Sequence, residues 1–478
     1  MRLDTERLGT GRLGTGRGDP GRHAAVALLA TSAVGTCALL FFSDTMSGPL
    51  RTGVLAGAFA ALGAVLANPR WRATLTVRGV MIAGICLTAV AVAAPPAESK
   101  DVWSYAFYGR TVVEYGESPY TTAPDDHPED PYYERIGPRW RDAPSVYGPA
   151  FSGASIGIMA VADDHVHVAR LLFQLLAAAA AIGVLVLIAR ETRSATAVAA
   201  LGLNPLIIYS VVNSAHNDMI IGLCVLGAAL LVMRERVIAA AFVLAVAALI
   251  KLSAVVALPA LVVWIWYRRG LRRATAAGAS GAAIVLVALL VAGGSDVSRA
   301  LSDASDRLSW ASIWQVLRPG AWDGAFSLAQ RTGDPLPSTT ATVALVITVL
   351  LALWLAFTHR RDTTPTLALG GALVAYLLVG AYVLPWYAAW ALPVLALRWR
   401  AGLSLLVAVL SALWAVGYQY ELTLAGSSVN RVLWLLAAVT IACNLAAIVV
   451  LVVLGWRRER DARRAERSAA LAGSGLAP

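Results

Sequence analysis

Fourteen apolar runs, joined by short connectors that carry arginines, leave this chain few ways to fold. They fall at 24–43, 52–68, 79–96, 167–190, 195–212, 216–233, 237–250, 254–267, 272–292, 341–358, 366–384, 386–398, 401–418 and 432–455. A helix needs about 20 residues to cross the hydrocarbon core of a bilayer, so several runs are short for a full crossing. Hydrophobic residues make up 58% of the 478 and charged residues 14%, with a mean hydropathy of +0.67. A soluble domain of this length cannot enclose that much apolar surface. The fold class is therefore all-α: a polytopic integral membrane protein with about 13–14 transmembrane helices. The net charge of +10 does not point to nucleic acid, because the arginines sit in small clusters between apolar runs, as they do in cytoplasmic loops. Cys37, Cys86, Cys224 and Cys443 lie inside apolar runs without metal-like spacing and read as small buried side chains.

The connectors set the orientation. Arg70, Arg72 and Arg78 form one cluster, Arg190 and Arg193 the next, then Arg234 and Arg236, Arg268 to Arg273, His359-Arg360-Arg361, Arg398 and Arg400, and the tail WRRERDARRAERS. With all of these cytoplasmic, the spans alternate without contradiction, and the chain divides into a disordered basic tail over 1–23, a membrane domain over 24–455 and a basic cytoplasmic tail over 456–478. The segment GPAFSGASIGIMAVA (148–162) reverses that order if it crosses, so it reads as re-entrant or interfacial. The stretch 237–267 goes out and returns within about thirty residues, which predicts two short helices meeting at a break that lines a cavity.

On this topology the extracytoplasmic side receives a first large loop (97–147), the corner NSAHND (213–218), Lys251 at the short-helix junction, the loop 293–340, YVLPWY (382–387) and YQYELTLAGSSVN (418–430). The first loop holds ten acidic residues against five basic and opens with KDVWSYAFYGRTVVEYGESPY. As a helix over 101–115, that stretch puts Asp101, Tyr105 and Tyr108 on one face and Trp103 and Phe107 on another, floating at the headgroup level with its rings toward lipid. Asp101 reads equally as a helix cap. His216, Asn217 and Asp218 are costly company for a lipid-facing position and read as the polar lining of a cavity, with capping as the bland account. An intramembrane lysine such as Lys251 suits a phosphate, or snorkels to the interface. The same two readings hold for Arg170 and Arg431. LPWYAAW (384–390) and YGP (147–149) have the composition of an interfacial aromatic belt. Asp125-Asp126-His127 with Glu129-Asp130 could ligate a divalent cation or form a solvated loop. The sequence carries no P-loop, dinucleotide fingerprint or zinc spacing.

An Asp just past a membrane exit, followed by SYAFYGRTVVEYGESPY, then YGP, then NPLIIYSVVNSAHNDMIIG, resembles the C-type (GT-C) membrane glycosyltransferases. Within them the chain is similar to the actinobacterial polyprenol-phosphate-mannose-dependent α-(1→6)-mannosyltransferases of lipomannan and lipoarabinomannan biosynthesis, over about residues 24–455. The resemblance implies transfer of a sugar from polyprenyl phosphate to a mannan or lipoglycan acceptor on the outer, periplasmic face of the plasma membrane, with inversion. It implies Asp101 as general base, and Tyr105, Tyr108, Arg110, Tyr120, Tyr147, His216, Asn217, Asp218, Trp386 and Tyr387 as substrate-binding groups. Lys251, Arg170 and Arg431 are the candidates for the donor phosphate. Membrane lipids are partners and nucleic acid is not. A divalent cation, Mg or Mn, is the cofactor left open. Other branches of the family carry a large C-terminal external domain, whereas this sequence runs from its last apolar stretch into a basic tail.

Two competing readings stand beside this one. The same fold with another lipid-phosphate sugar, such as arabinofuranose, has the same sequence signature. A flippase or transporter shares the spans, the intramembrane lysine and the broken helices, but predicts repeated halves, and no internal repeat is visible.

Overall fold

A computed structural model describes residues 20–305, 307–310, 312–317, 334–335, 337–423 and 431–473. Residues 1–19 of the tail expected over 1–23, the middle of the 293–340 loop, the stretch 424–430 and residues 474–478 lie outside the described residues, while Pro20 to His23 already belong to the first helix, Pro20–Phe42. The described chain is helical, apart from one two-residue antiparallel pairing of Arg307–Leu308 with Asp334–Pro335. Eight of its helices are long and apolar enough to cross a membrane, and the bent pair Ala195–Gly202 and Leu206–Asn213 would make a ninth. Five shorter apolar helices of 14–17 residues bring the apolar segments to fourteen, or thirteen without Pro149–Ala162.

Local sequence fixes the breaks that matter. Asn68 accepts from the Arg70 amide (2.9 Å) ahead of Pro69, and Thr76 accepts from the Gly79 amide (3.2 Å), so both caps come from the residue types best suited to them. Ser194 caps the Ala195–Gly202 helix in the same way through the Ala197 amide. That helix stops at Asn204-Pro205, where proline removes the next donor; Asn204 accepts from the Leu206 amide, and the chain turns by 49° into a π-helical segment. Lys251 is extended (φ −148°, ψ 115°) between Val237–Ile250 and a 3₁₀ turn over Leu252–Val256, so the predicted break falls on the lysine itself.

Ion pairs gather at one pole of the bundle. Arg234 pairs with Glu191, and Arg269 and Arg273 with Glu235. Arg360 and Arg361 both engage Glu459, while Asp362 meets His359 (3.0 Å), Arg398 (3.8 Å) and Arg458. Five arginine-bearing connectors that the sequence assigns to one side are thereby tied together on one side. The last helix, Arg431–Gly473, carries its apolar run and its basic stretch as one continuous rod and brings Glu459 into this cluster.

At the opposite pole the helix Asp101–Val113 packs against Pro149–Ala162. It does not float with its rings in lipid. Nine of its 13 residues are buried, including Tyr105, Phe107, Tyr108 and Arg110, because the acidic loop folds back over it. Pro149–Ala162 runs between elements of this same pole: the Gly148 amide donates to Ile250 O (3.0 Å) at its start, and the Tyr132 hydroxyl to Asp163 O (3.2 Å) at its end.

Candidate active site

Asp101 is the first residue of its helix, yet its carboxylate does not cap it. Ser99 Oγ accepts from the Asp101 amide instead (3.1 Å). The carboxylate is left to face inward, where Oδ2 accepts from the Tyr147 hydroxyl (3.4 Å) and lies 3.5 Å from His216 Nε2, with a quarter of the side chain exposed. Burial pushes this carboxyl up, but the neighbouring His216, the Ser99 contact and the Lys251 charge outweigh it, and Asp101 ionises below the usual aspartate range. Burial, with the Tyr105 ring and the Asp101 charge, pushes the Tyr147 hydroxyl well above its ordinary value, so it stays a donor.

The NSAHND corner supplies the opposite wall. Ala215 adopts a left-handed backbone (φ +59°), a conformation disfavoured for alanine that folded surroundings must impose. The turn presents His216, fully buried and stacked on Trp386 (centroids 4.0 Å apart, 22° between planes). Asn213 caps nothing. Its amide donates to Ala91 O and Pro95 O and its oxygen accepts from the Ala97 amide (2.9 Å), which ties down the chain just before Asp101. Asn217 also caps nothing: it is 1% exposed and both its side-chain polar atoms are without a hydrogen bond. Asp218 Oδ1 accepts from Trp390 Nε1 (2.6 Å) and from Lys251 Nζ (3.3 Å), while Oδ2 has no partner.

Lys251 stands in an aromatic box. Its ammonium lies 3.9 Å from the Tyr387 ring centroid, 5.5 Å from Trp390 and 5.8 Å from Tyr147. Two glycines make the box possible. Gly148 sits against the Leu249 backbone with no room for a Cβ, which draws Tyr147 alongside Lys251. Gly222, one turn after Asp218, sits equally close to Ala389 O and 2.8 Å (from an added Cβ) to Pro393, which lets Trp390 reach Asp218.

The structure thus brings Asp101, Tyr105, Tyr147, His216, Asn217, Asp218, Lys251, Trp386 and Tyr387 into one neighbourhood; Tyr105 enters edge-on to Tyr147 (4.9 Å). Other sequence candidates are committed elsewhere. Tyr108 donates to Ala143 O (3.0 Å), Tyr120 bonds Ser152 Oγ (3.0 Å), and Arg110 pairs with Asp130 (2.8 Å) and Asp164 (2.6 Å), all as struts of the loop. Arg170 donates to Ala94 O and Gln174 Oε1 (both 2.9 Å), closing the end of the Val77–Ala93 helix. Arg431 opens the last helix, and its side chain lies outside the described residues. The sequence reading missed Trp390 and Glu98. Trp390 follows Tyr387 by three and Trp386 by four, the helical spacing that puts three rings on one face. Glu98 lies three residues before Asp101 and gave no signal of its own.

The acidic strip that suggested a cation is bonded within the loop. Asp125 accepts from Tyr133 (2.8 Å), Asp126 from the Ala123 amide (2.8 Å), Asp130 from Arg110 and Tyr115, and Glu117 and Glu129 flank His127. Among the described residues no three His, Cys, Asp or Glu side chains converge as metal ligands would.

Buried carboxylates, a caged lysine and unpaired polar atoms at one pole of an all-α, multi-pass bundle define a membrane protein with a polar reaction or transfer site. Comparison with known proteins narrows this. Residues 21–268, more than half of the chain, match the family described as alpha-(1->6)-mannopyranosyltransferase, N-terminal domain, and the chain belongs to that family. It is 28% identical over 333 residues to alpha-(1->6)-mannopyranosyltransferase A of Mycobacterium tuberculosis, covering 63% of this chain and 61% of that one. It is 31% identical over 181 residues to the protein of the same name from Corynebacterium glutamicum, covering 36% of each. The chain thus spans less than two thirds of the length of these relatives. No solved structure matches it.

Proposed function

We propose that the protein transfers mannose from polyprenyl-phosphate-mannose to a mannan or lipoglycan acceptor, at the extracytoplasmic face of the plasma membrane and with inversion at C1. The observation that carries this reading is the Asp101 carboxylate: partly open, and held by Tyr147 and His216 beside unpaired polar groups of Asn217 and Asp218. The acceptor hydroxyl gives its proton to Asp101 as its oxygen bonds C1. The C1–O bond to phosphate breaks on the far side, and the lipid phosphate departs with the electron pair. His216 steadies the carboxylate from its stack on Trp386, and Tyr147 donates to it from the other side. The relatives' names support α-(1→6) linkage as the product. The basic clusters gathered at the pole remote from Asp101 support this orientation.

Membranes containing the protein are incubated with labelled polyprenyl-phosphate-mannose and an α-(1→6)-mannose oligosaccharide. Elongated product that is absent with polyprenyl-phosphate-arabinofuranose supports the reading. Product from the arabinosyl donor only, or translocation of lipid without product, overturns it.

A further inference from the structure

Behind His216, away from Asp101, lies a second group of buried polar side chains. Arg51 belongs to the first turn of the Gly48–Ala67 helix; its buried Nε has no hydrogen-bond partner, and among the described residues it forms no ion pair. Ser47 gives that helix no side-chain cap, so amide donors of the first turn add their positive dipole end at the same point. Across from it stand Tyr209 and Ser210, 0% and 1% exposed, on the π-helical segment. Glu98 joins the two regions. Its neighbours are Ser210, His216 and Arg51, while those of the Tyr209 hydroxyl are Glu98, Arg51, Ser43 and the exposed Asp44. Yet Glu98 Oε2, Ser210 Oγ and the Tyr209 hydroxyl all lack a hydrogen bond of ordinary length. Each such buried group left unpaired costs about 1–3 kcal/mol, so a cluster of them around an arginine is not a packing solution.

The chemistry of the cluster is that of an oxyanion site: one guanidinium and two hydroxyls beside a helix N-terminus. Glu98, with its Oε2 buried, is an acid that neighbours the arginine, and burial pushes its carboxyl up against the opposing pull of Ser210, His216 and Arg51, so it holds its proton longer than an ordinary glutamate. The rim is apolar. Phe41, Phe42 and Leu50 are 52%, 57% and 55% exposed on the two helix ends that flank Arg51. The cations suggested by sequence are less suited, because Lys251 is neutralised by Asp218 and Arg170 is committed to Ala94 and Gln174.

We infer that Arg51, with Ser210 and Tyr209, receives the phosphate of a phosphate ester carried on a long apolar chain. This rests on the reading that the sugar donor is such a lipid; Glu98, which neighbours both Arg51 and His216, links the site to the residues around the base.

The test measures binding without sugar transfer. The purified full chain is titrated with farnesyl monophosphate, with farnesol and inorganic phosphate as controls, following thermal stabilisation. Wild type is stabilised by farnesyl monophosphate and by neither control. Arg51→Gln weakens this at least tenfold, and Arg51→Lys and Ser210→Ala each about threefold or more. Wild-type affinity in Arg51→Gln overturns the assignment, and inorganic phosphate acting as well as the ester overturns its lipid part. If Arg51→Gln does not yield folded protein, unchanged affinity in both Arg51→Lys and Ser210→Ala overturns it. Failure of mannose transfer with Arg51-dependent binding intact sinks the proposed donor sugar and leaves this site standing.

Discussion

Replacing Lys251 with methionine takes the cation out of its ring box and leaves Asp218, 1% exposed, facing only the Trp390 N–H at 2.6 Å. Breaking a buried pair by removing one member destabilises by about 3–5 kcal/mol, mainly because the remaining charge is stranded. Here the retained indole bond and the thioether's own contact with Tyr387 and Trp390 put the loss near the lower end, about 3 kcal/mol. Asp218→Asn strands the ammonium instead, with Tyr387 at 3.9 Å as its main consolation, about 0.5–2 kcal/mol. The double variant Lys251→Met/Asp218→Asn removes both charges, and its amide oxygen still accepts from Trp390. It is therefore expected to recover about 2 kcal/mol relative to the sum of the two single variants. Reversible unfolding in mixed micelles, titrated with sodium dodecyl sulfate, measures all four corners of the cycle. Additive losses, with a double variant no better than the sum of the singles, would refute the argument that these two residues are held by each other.

Asp101→Asn keeps the side-chain volume and both long contacts, so it should lower turnover about 100-fold or more while leaving the unfolding midpoint nearly unchanged; labelled-product formation and the same micelle titration read the two effects. Since His216 helps hold Asp101 below the usual aspartate range, the acid limb of kcat/KM should lie below that range in wild type and move to higher pH in His216→Gln. Gly222→Ala drives a methyl group into Ala389 O and Pro393, and should quench less of the Trp390 fluorescence as Trp390 leaves Asp218; an unchanged spectrum with intact stability would contradict the packing described. At the opposite pole, His359, Arg458 and Arg398 hold Asp362 below its ordinary value against the push of burial. Its stabilising effect is thus complete at neutral pH and lost as pH falls through that depressed value, and Asp362→Asn should flatten the acid side of the stability profile.

The sequence by itself determined that the chain is a bundle of apolar helices, which pole carries the arginines, and where the chain breaks. Each of these follows from local composition: long apolar runs have no other stable form in lipid, the Asn204-Pro205 step ends its helix, a lysine inside an apolar run marks an interrupted span, and clustered arginines stay at a water-facing end. The sequence also marked Asp101, the SAHND corner and Lys251, because acids, amides and amines beside a membrane are conspicuous. Tertiary structure alone decided which of these meet. Tyr108, Arg110 and Tyr120 lie within twenty residues of Asp101 and look like its companions, yet their polar groups brace the loop. Trp386, Tyr387 and Trp390 come from nearly 300 residues away and form the wall. Distance along the chain says nothing about which polar group will find a partner in a low-dielectric interior, where every donor and acceptor must be matched by whatever packing brings close. That is also why Arg51, unremarkable in sequence, becomes informative only when the fold sets it half-buried, with an unpaired Nε, beside Glu98 and Tyr209.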